Sequence, residues 1–224
     1  MNYELLLNNN VELWGKVTSN PEFSHAVLGE NFYEFNLEVP RLSDSSDIIP
    51  VTISEKLFAK DDLKIDTVVG VSGQFRSYNK LVEGKSKLML TVFVREIIPV
   101  ETNKNPNIIN LKGFLCKEPI FRTTPFKREI CDILLAVNRA YNKSDYIPCI
   151  AWGRNARFVK NLPVGTKIDI EGRIQSRVYQ KKISEEETVN KTAYEISISK
   201  VSIIESEPIT TIELDRLKQT ENAS

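Results

Sequence analysis

Aromatic and basic side chains alternate along the second half of this 224-residue chain. Tyr141 lies between Arg139 and Lys143, and Trp152 is followed closely by Arg154. Flat rings can stack on exposed nucleic-acid bases, at roughly 1–3 kcal/mol per base, while the cations between them neutralise phosphates. The pattern therefore predicts a surface for single-stranded nucleic acid. Its members are Arg139, Tyr141, Tyr146, Trp152, Arg154, Arg173, Arg177, Tyr179, Lys181 and Lys182.

Some of these residues have a simpler interpretation. Tryptophan and tyrosine are often partly buried, so Trp152 could be a core side chain. Lys181 and Lys182 precede the acidic run 185–187, and together they could form a solvated loop. Tyr179 is surrounded by charged residues and fits a core less well. No single residue is decisive. The prediction rests on the alternation of aromatic rings and cations along the chain.

The chain is a tandem repeat. The segment VPRLSDSSDIIP at residues 39–50 recurs without a gap as VNRAYNKSDYIP at residues 137–148, an offset of 98 residues (137 − 39). A period near 100 residues has the size of a small domain and is far too long for a solenoid repeat. We therefore predict domains at residues 1–101 and 107–204, followed by a polar, disordered tail at residues 205–224.

Each repeat is predicted to be an all-β domain of five strands with a small helix between the third and fourth. Period-two alternation is the signal, as in the strand that places Cys131, Ile133 and Leu135 on one face. The short helices are expected near residues 55–60 and 154–161. This order and length fit two tandem five-stranded barrels of the OB type, and a small sandwich is the structural alternative.

Two smaller features refine this picture. An offset of 99 residues pairs Gly73 with Gly172 inside the fourth strands, where an isolated glycine usually marks a bulge or a barrel corner. Between the repeats, Glu101–Pro106 is a polar linker of only six residues. A linker this short predicts that the two barrels touch.

The formal net charge of zero hides an asymmetry. Residues 105–203 carry 17 Lys and Arg against 10 Asp and Glu, or +7, whereas residues 1–104 carry 11 against 15, or −4. Such a difference between halves suggests that the second repeat binds a polyanion. A random partition of surface charge is the alternative.

The sequence shows few features of an enzyme, a metal-binding protein or a membrane protein. The cysteines, Cys116, Cys131 and Cys149, lie in strand-like segments without a Cys-x-x-Cys motif, so we interpret them as small buried thiols. The one histidine, His25, has no catalytic motif near it, which predicts no enzyme activity, no metal and no cofactor. No membrane-length apolar run or cationic leader is present, so we expect a cytoplasmic protein with no membrane partner.

The second repeat resembles the bacterial single-stranded DNA-binding protein (SSB) family over nearly its whole length. The segments that carry the resemblance are NLKG at 110–113, LAVNRAY at 135–141, DYIPCIAWGR at 145–154 and EGRIQSRVY at 171–179. The resemblance implies an OB fold and roles in DNA replication, repair and recombination. It also places four base-stacking positions on Tyr141, Tyr146, Trp152 and Tyr179.

The first repeat resembles the family less closely, through VELWG at 11–15 and VSGQFRSY at 71–78, and is similar to the divergent PriB-type primosomal proteins. At the four stacking positions it carries Ser43, Ile48, Ser54 and Lys80, with Tyr78 two places early. We expect this repeat to be a pairing domain, or an auxiliary DNA-binding groove that uses Arg41, Arg76 and Tyr78.

Taken together, these features predict a protein that binds and coats single-stranded DNA with little sequence preference, chiefly through its second OB domain. Since the family presents four OB barrels, a two-barrel chain is expected to form a homodimer. Replication proteins are a further expected class of partner, although the chain ends ENAS where the family carries an acidic tail with a Pro-Phe tip. Two alternatives stay open: a primosome or mobile-element accessory protein whose first domain docks another protein, and a pure interaction module.

Overall fold

The structure is a computed structural model that describes residues 7–59, 62–82, 84–182 and 188–205. It consists of strands, one short α-helix (α1, Gly153–Val159) and a 3-10 turn at Glu55–Leu57. The strands are β1 (Asn9–Val17), β2 (Glu22–Val27), β3 (Glu30–Pro40), β4 (Ser46–Ser54), β5 (Val68–Val82), β6 (Lys85–Ile98), β7 (Asn107–Leu115), β8 (Ile120–Thr123), β9 (Glu129–Arg139), β10 (Lys143–Trp152), β11 (Lys167–Lys182) and β12 (Thr188–Ile203). Apart from Glu205, the predicted tail lies outside the described residues.

Each half of the chain closes into a five-stranded barrel. In the first barrel the strands pair in the cycle β1–β3–β4–β6–β5–β1, where β4 and β6 are parallel and the other pairs antiparallel. The second barrel repeats the cycle as β7–β9–β10–β12–β11–β7. In chain order, the 3-10 turn lies between β4 and β5 and α1 lies between β10 and β11, which are the third and fourth barrel strands of each half, as predicted. The OB-type, all-β fold class is therefore confirmed, and the sandwich alternative is not adopted.

Alternation of buried and exposed residues explains the closure. On β10, Ile147, Cys149 and Ala151 are buried in the barrel. On the matching strand β4, Ile49, Val51 and Ile53 are buried in the same way. Successive side chains of a strand point to opposite faces, so one face of each strand fills the core and the other remains free for contacts outside it.

Two strands were not predicted from the sequence. β2 and β8 each form a hairpin with the next strand and lie outside the five-strand cycles. Their side chains are almost all exposed or half-buried, so they carry no apolar alternation. Backbone hydrogen bonds to β3 and β9 hold them in place instead, and these bonds leave no pattern in the sequence.

The predicted bulges are confirmed. The register between β5 and β6 shifts between Ser72 and Gly73, and that between β11 and β12 shifts between Glu171 and Gly172. A Cβ atom on Gly73 would lie 2.2 Å from the carbonyl oxygen of Phe93. Glycine is required here because the partner strand crosses too closely for any side chain.

The two barrels touch, as the short linker predicts. β1 pairs antiparallel with β7, from Asn9 opposite Leu111 to Leu13 opposite Asn107, so one sheet runs continuously through both barrels. The backbone N–H of Trp14 also donates to the carbonyl oxygen of Pro106 at 3.0 Å. The barrels are therefore joined through the backbone, which fixes the outer surface of one against that of the other.

Candidate nucleic-acid interface

The outer face of β10 presents aromatic side chains to solvent. Tyr146 is 47% exposed and Trp152 is 36% exposed, whereas the alternating residues of the same strand are buried. The indole N–H of Trp152 donates to the hydroxyl of Ser197 at 3.2 Å, which fixes the plane of the ring. Trp152 is therefore not the core side chain that the alternative interpretation required.

Tyr141 lies at the turn that joins β9 to β10 and is 94% exposed. Tyr141 and the following Asn142 both have left-handed backbone conformations, with φ of 60° and 53°. This conformation is uncommon for a tyrosine, since its Cβ crowds the backbone there. The turn thus holds a large ring away from the barrel, where it packs little of its surface against the protein.

The third part of the predicted surface lies on β11. Tyr179 is 38% exposed, and the guanidinium of Arg177 lies 5.7 Å from the centre of its ring. Arg177 also approaches Glu195 at 3.8 Å. Lys181 and Lys182 belong to the same strand, but their side chains lie outside the described residues. Arg154, in the first turn of α1, is exposed.

Two of the predicted cations bind one buried carboxylate at the boundary between the barrels. Arg41 donates to both oxygens of Asp47, at 2.7 and 2.6 Å, and Arg173 donates to the same carboxylate at 3.3 Å. The backbone N–H of Ser176, from the second barrel, donates to Asp47 at 2.7 Å. Burial raises the pKa of Asp47, but the hydrogen bonds from Arg41 and Ser176 outweigh it and hold the pKa below the ordinary value. Arg41 and Arg173 therefore stabilise the boundary between the barrels, and their contact with DNA stays a prediction.

A related arrangement joins the barrels a second time, with the roles of the halves exchanged. Asp145 of the second barrel accepts a hydrogen bond from the backbone N–H of Ser77, in the first barrel, at 2.7 Å. Arg139 lies 3.4 Å from Asp145, but the pair is not aligned for a hydrogen bond. Burial raises the pKa of Asp145 above its ordinary value, and Ser77, Arg139 and Arg76 offset this only in part. The second arrangement is thus the weaker of the two.

The first barrel lacks aromatic rings at the stacking positions. Ser54, which corresponds to Trp152, is buried, and its hydroxyl accepts a hydrogen bond from the backbone N–H of Lys56 at the start of the 3-10 turn. Tyr78 is 37% exposed, and its hydroxyl donates to Glu34 at 3.1 Å. Burial and the charge of Glu34 raise the pKa of Tyr78 to about 12. Its ring and Arg76 remain the sequence-predicted candidates in this barrel.

Sequence comparison missed a row of planar groups on the first barrel. The ring of His25 stacks on Phe32 with centroids 5.0 Å apart, and Phe32 lies 5.4 Å from Phe93. The guanidinium of Arg76 then covers Phe93 at 3.9 Å. These four groups come from β2, β3, β6 and β5 and form what we call the planar row. The second repeat has no aromatic residue at the aligned positions. A comparison that starts from the aromatic residues of the second repeat therefore does not reveal the planar row of the first.

The described residues offer little for other chemistry. They contain no group of three or more His, Cys, Asp or Glu side chains that could hold a metal ion. The three cysteines are free, and burial raises the pKa of Cys131 to about 11, so its thiol is protonated at neutral pH. Within the same residues, no helix has the length and apolar character needed to cross a membrane.

The fold and the exposed rings together define a class of protein: two joined OB barrels, one of which carries an aromatic and basic face. The structure matches the single-stranded DNA binding protein from Thermus aquaticus with a TM-score of 0.70 over 89% of this chain and 94% of that chain, at 19% sequence identity. At this identity the likeness shows the fold alone.

The sequence of the second repeat also matches a known family. Residues 106–204 match the single-strand binding protein family, so the resemblance seen in the sequence is confirmed. Single-stranded DNA-binding protein 1 of Staphylococcus aureus (strain COL) is 37% identical over 81 residues, which are 33% of this chain and 48% of that protein. The chain thus spans about half the length of the curated relatives it matches. Proteins of this family are non-enzymatic, in agreement with the prediction from the sequence.

The expected similarity to PriB is also found. The chain is 48% identical to the N-terminal domain of the PriB protein from Thermoanaerobacter tencongensis, a dimeric structure, over 42% of this chain and 99% of that chain. The TM-score of that match is 0.36.

Proposed function

We propose that this protein binds and coats single-stranded DNA with little sequence preference, chiefly through its second barrel. One observation carries the proposal: among the exposed aromatic side chains of the second barrel are the four at the predicted stacking positions, Tyr141, Tyr146, Trp152 and Tyr179. Exposed rings at these positions contribute little to the core and leave flat faces available for stacking on unpaired bases.

The mechanism follows from the chemistry of an unpaired strand. Every base has a flat face, so stacking on Tyr or Trp is favourable whatever the sequence. Phosphates between the stacked bases would contact Arg154 and Arg177, which lie on the same barrel as the rings. In a duplex the base faces are already stacked on each other, so the same surface would gain little from double-stranded DNA.

Polarisation of fluorescein-labelled oligonucleotides tests the proposal. Labelled oligo-dT should bind, and a labelled duplex of equal length should bind far more weakly. Absence of oligo-dT binding at low salt would instead favour the interaction module, in which neither barrel contacts nucleic acid. Labelled oligo-U, titrated in parallel, measures the preference for DNA over RNA.

Binding should weaken as salt concentration rises. If about five phosphates are neutralised, the logarithm of the association constant should fall against the logarithm of salt with a slope of roughly −3.5, from about 0.7 per phosphate on a single strand. The same oligo-dT titration at four or five salt concentrations gives this slope. A slope near zero would mean that the +7 charge of residues 105–203 plays no part in binding.

We also propose that the chain forms a homodimer, which would bring four barrels together. The β1–β7 pairing already joins the two barrels within one chain, so the dimer would use another surface. Light scattering at micromolar concentrations should give a mass twice the 25.6 kDa of the chain. A mass of one chain across that range would overturn the dimer and leave DNA binding by a single chain as the simpler account.

A further inference from the structure

The continuous sheet of the two barrels has two free edges. β2 lies at one end of the strand order and β8 lies at the other. β2 pairs with β3 and β8 pairs with β9, and within the described part of the chain no hydrogen bond holds the opposite side of either strand. Each edge therefore presents a row of unpaired N–H and C=O groups, which can pair with a strand of another molecule.

We propose that β8 of one chain pairs with β2 of the next chain, in an antiparallel edge-to-edge contact between copies of this protein. The contact joins two different surfaces, so it does not close at two copies and can continue from chain to chain. It is separate from the closed homodimer of the proposed function, and it requires no DNA.

Neither edge is protected against pairing. Natural edge strands usually carry lysine or proline, which oppose association with another strand. Neither residues 22–27 nor residues 120–123 contain lysine or proline. Large apolar side chains are exposed there instead, since Phe23 is 60% exposed and Ile120 is 63% exposed. A strand that pairs with either edge removes part of this apolar surface from water, which favours association.

The free backbone groups of β8 can be located from the hairpin that it forms with β9. The backbone N–H of Thr124 donates to the carbonyl oxygen of Arg128 at 2.8 Å, which makes these two residues a hydrogen-bonded pair. Hydrogen-bonded and non-hydrogen-bonded pairs alternate along an antiparallel ladder, so Phe121, opposite Cys131, is in a non-hydrogen-bonded pair. The N–H and C=O of Phe121 therefore point away from β9, toward the free edge.

The equivalent residue of β2 is Phe23, opposite Tyr33, because both pairs differ by the same offset (121 − 23 and 131 − 33 both equal 98). Its backbone groups point away from β3 in the same way. Antiparallel pairing of Phe23 with Phe121 of the next chain thus joins two sets of outward groups. The same register places Glu22 opposite Arg122.

Charge favours pairing of β2 with β8 over pairing of either strand with itself. Residues 1–104 carry a net charge of −4 and residues 105–203 carry +7. Glu22 is exposed, and Arg122 keeps 49% of its side chain exposed although it binds Asp132 at 2.7 Å. Cross-strand pairs of opposite charge are favourable. β2 contains no Lys or Arg and β8 contains no Asp or Glu, so neither strand can form such a pair with its own copy.

Sedimentation velocity of the full chain without DNA, over a range of concentrations, tests the inference. The unmodified chain should form species larger than two chains as the concentration rises. Glu22→Arg and Arg122→Glu should each weaken this association by roughly 2- to 30-fold, twice the free-energy range of one exposed ion pair, because attraction becomes repulsion. The double variant should restore the association, since the two charges are then exchanged and again opposite.

A second pair of variants tests the backbone contact. Thr123, opposite Glu129, is exposed and points its N–H away from β9 by the same alternation. Thr123→Pro removes this donor without removing a bond to β9, so association should fall by roughly 2- to 10-fold, the effect of one lost hydrogen bond. Thr123→Ala keeps the donor and should associate as the unmodified chain does. If Thr123→Pro does not fold, the charge exchange decides the outcome.

Association of the unmodified chain that stops at one or two copies overturns the inference. Loss in only one of the two charge reversals, or no recovery in the double variant, also overturns it, because Glu22 and Arg122 would then not meet. Equal association of Thr123→Ala and a folded Thr123→Pro would show that the edge of β8 is not the contact. Since no DNA is present, these results do not depend on whether the chain binds oligo-dT, and failure here leaves the proposed function standing.

Discussion

Replacement of Trp152 by alanine should weaken binding of oligo-dT by roughly 1–3 kcal/mol, the range for one lost base stack. The side chain is 36% exposed, and its indole N–H is held by Ser197, so the ring lies at the surface and outside the core. Loss of a core tryptophan would instead cost about 3–5 kcal/mol of unfolding free energy. Polarisation titrations, combined with urea denaturation of the same variant, separate the two effects.

Ser54→Ala is not a suitable control for Trp152→Ala. Ser54, the counterpart of Trp152 in the first barrel, caps the 3-10 turn and bonds to Glu30, so Ser54→Ala would itself reduce stability. Phe158, on α1 of the second barrel, is a better match because it is aromatic and 42% exposed. Phe158→Ala should leave affinity unchanged. Equal losses in Phe158→Ala and Trp152→Ala would show that stacking on Trp152 is not the source of the effect.

The two buried aspartates should differ sharply in their contribution to stability. Asp47→Asn should reduce the free energy of unfolding by about 3 kcal/mol at neutral pH, because it removes the counter-charge of Arg41 and Arg173. This is the lower end of the usual range for a broken buried pair, since both arginines are partly exposed. Asp145→Asn should cost less than about 1 kcal/mol, because its arginine is misaligned and asparagine keeps an acceptor for Ser77.

The pH dependence of the same variants gives an independent check. The pKa of Asp47 is lowered in the folded chain, so its stabilisation is present above the unfolded value of about 4 and is lost as pH falls through the folded pKa. The cost of Asp47→Asn should therefore shrink in acid. Asp145 has a raised pKa, so its contribution to stability decreases as pH rises through that pKa. Equal costs for the two variants at neutral pH would contradict this account of the boundary.

Most of the fold could be predicted from the sequence, and the exceptions have a common physical cause. Strands that line a core, such as β10, show alternation because burial selects apolar residues on one face. The outer hairpin strands β2 and β8 bury little, so no selection of that kind marks them. The same reason applies to residues 78–81 at the end of β5 and 85–88 at the start of β6, which are exposed and bury neither face of the hairpin.

The aromatic face was predictable because type and spacing are visible in the sequence, and Tyr141, Tyr146, Trp152 and Tyr179 are all exposed in the structure. The carboxylate that binds two of the predicted cations could not be predicted from the sequence. That Arg41 and Arg173 meet at Asp47 depends on the β1–β7 junction, which brings residues about 130 positions apart into contact. The planar row is also a product of folding, since Phe93 comes from another strand and lies 61 positions beyond Phe32 (93 − 32). Such contacts appear only when the barrels are assembled.

Titration of intrinsic tryptophan fluorescence with oligo-dT tests the central claim most directly. The chain has two tryptophans, and the half-buried Trp14 lies in β1 of the first barrel, so Trp152 is the one that the account places against a base. Stacking should quench the emission of the unmodified chain to saturation, and Trp152→Phe, which retains Trp14, should lose most of the quenching. Emission that stays unchanged at saturating oligo-dT, or quenching that persists fully in Trp152→Phe, would contradict the assignment of DNA binding to the aromatic face of the second barrel.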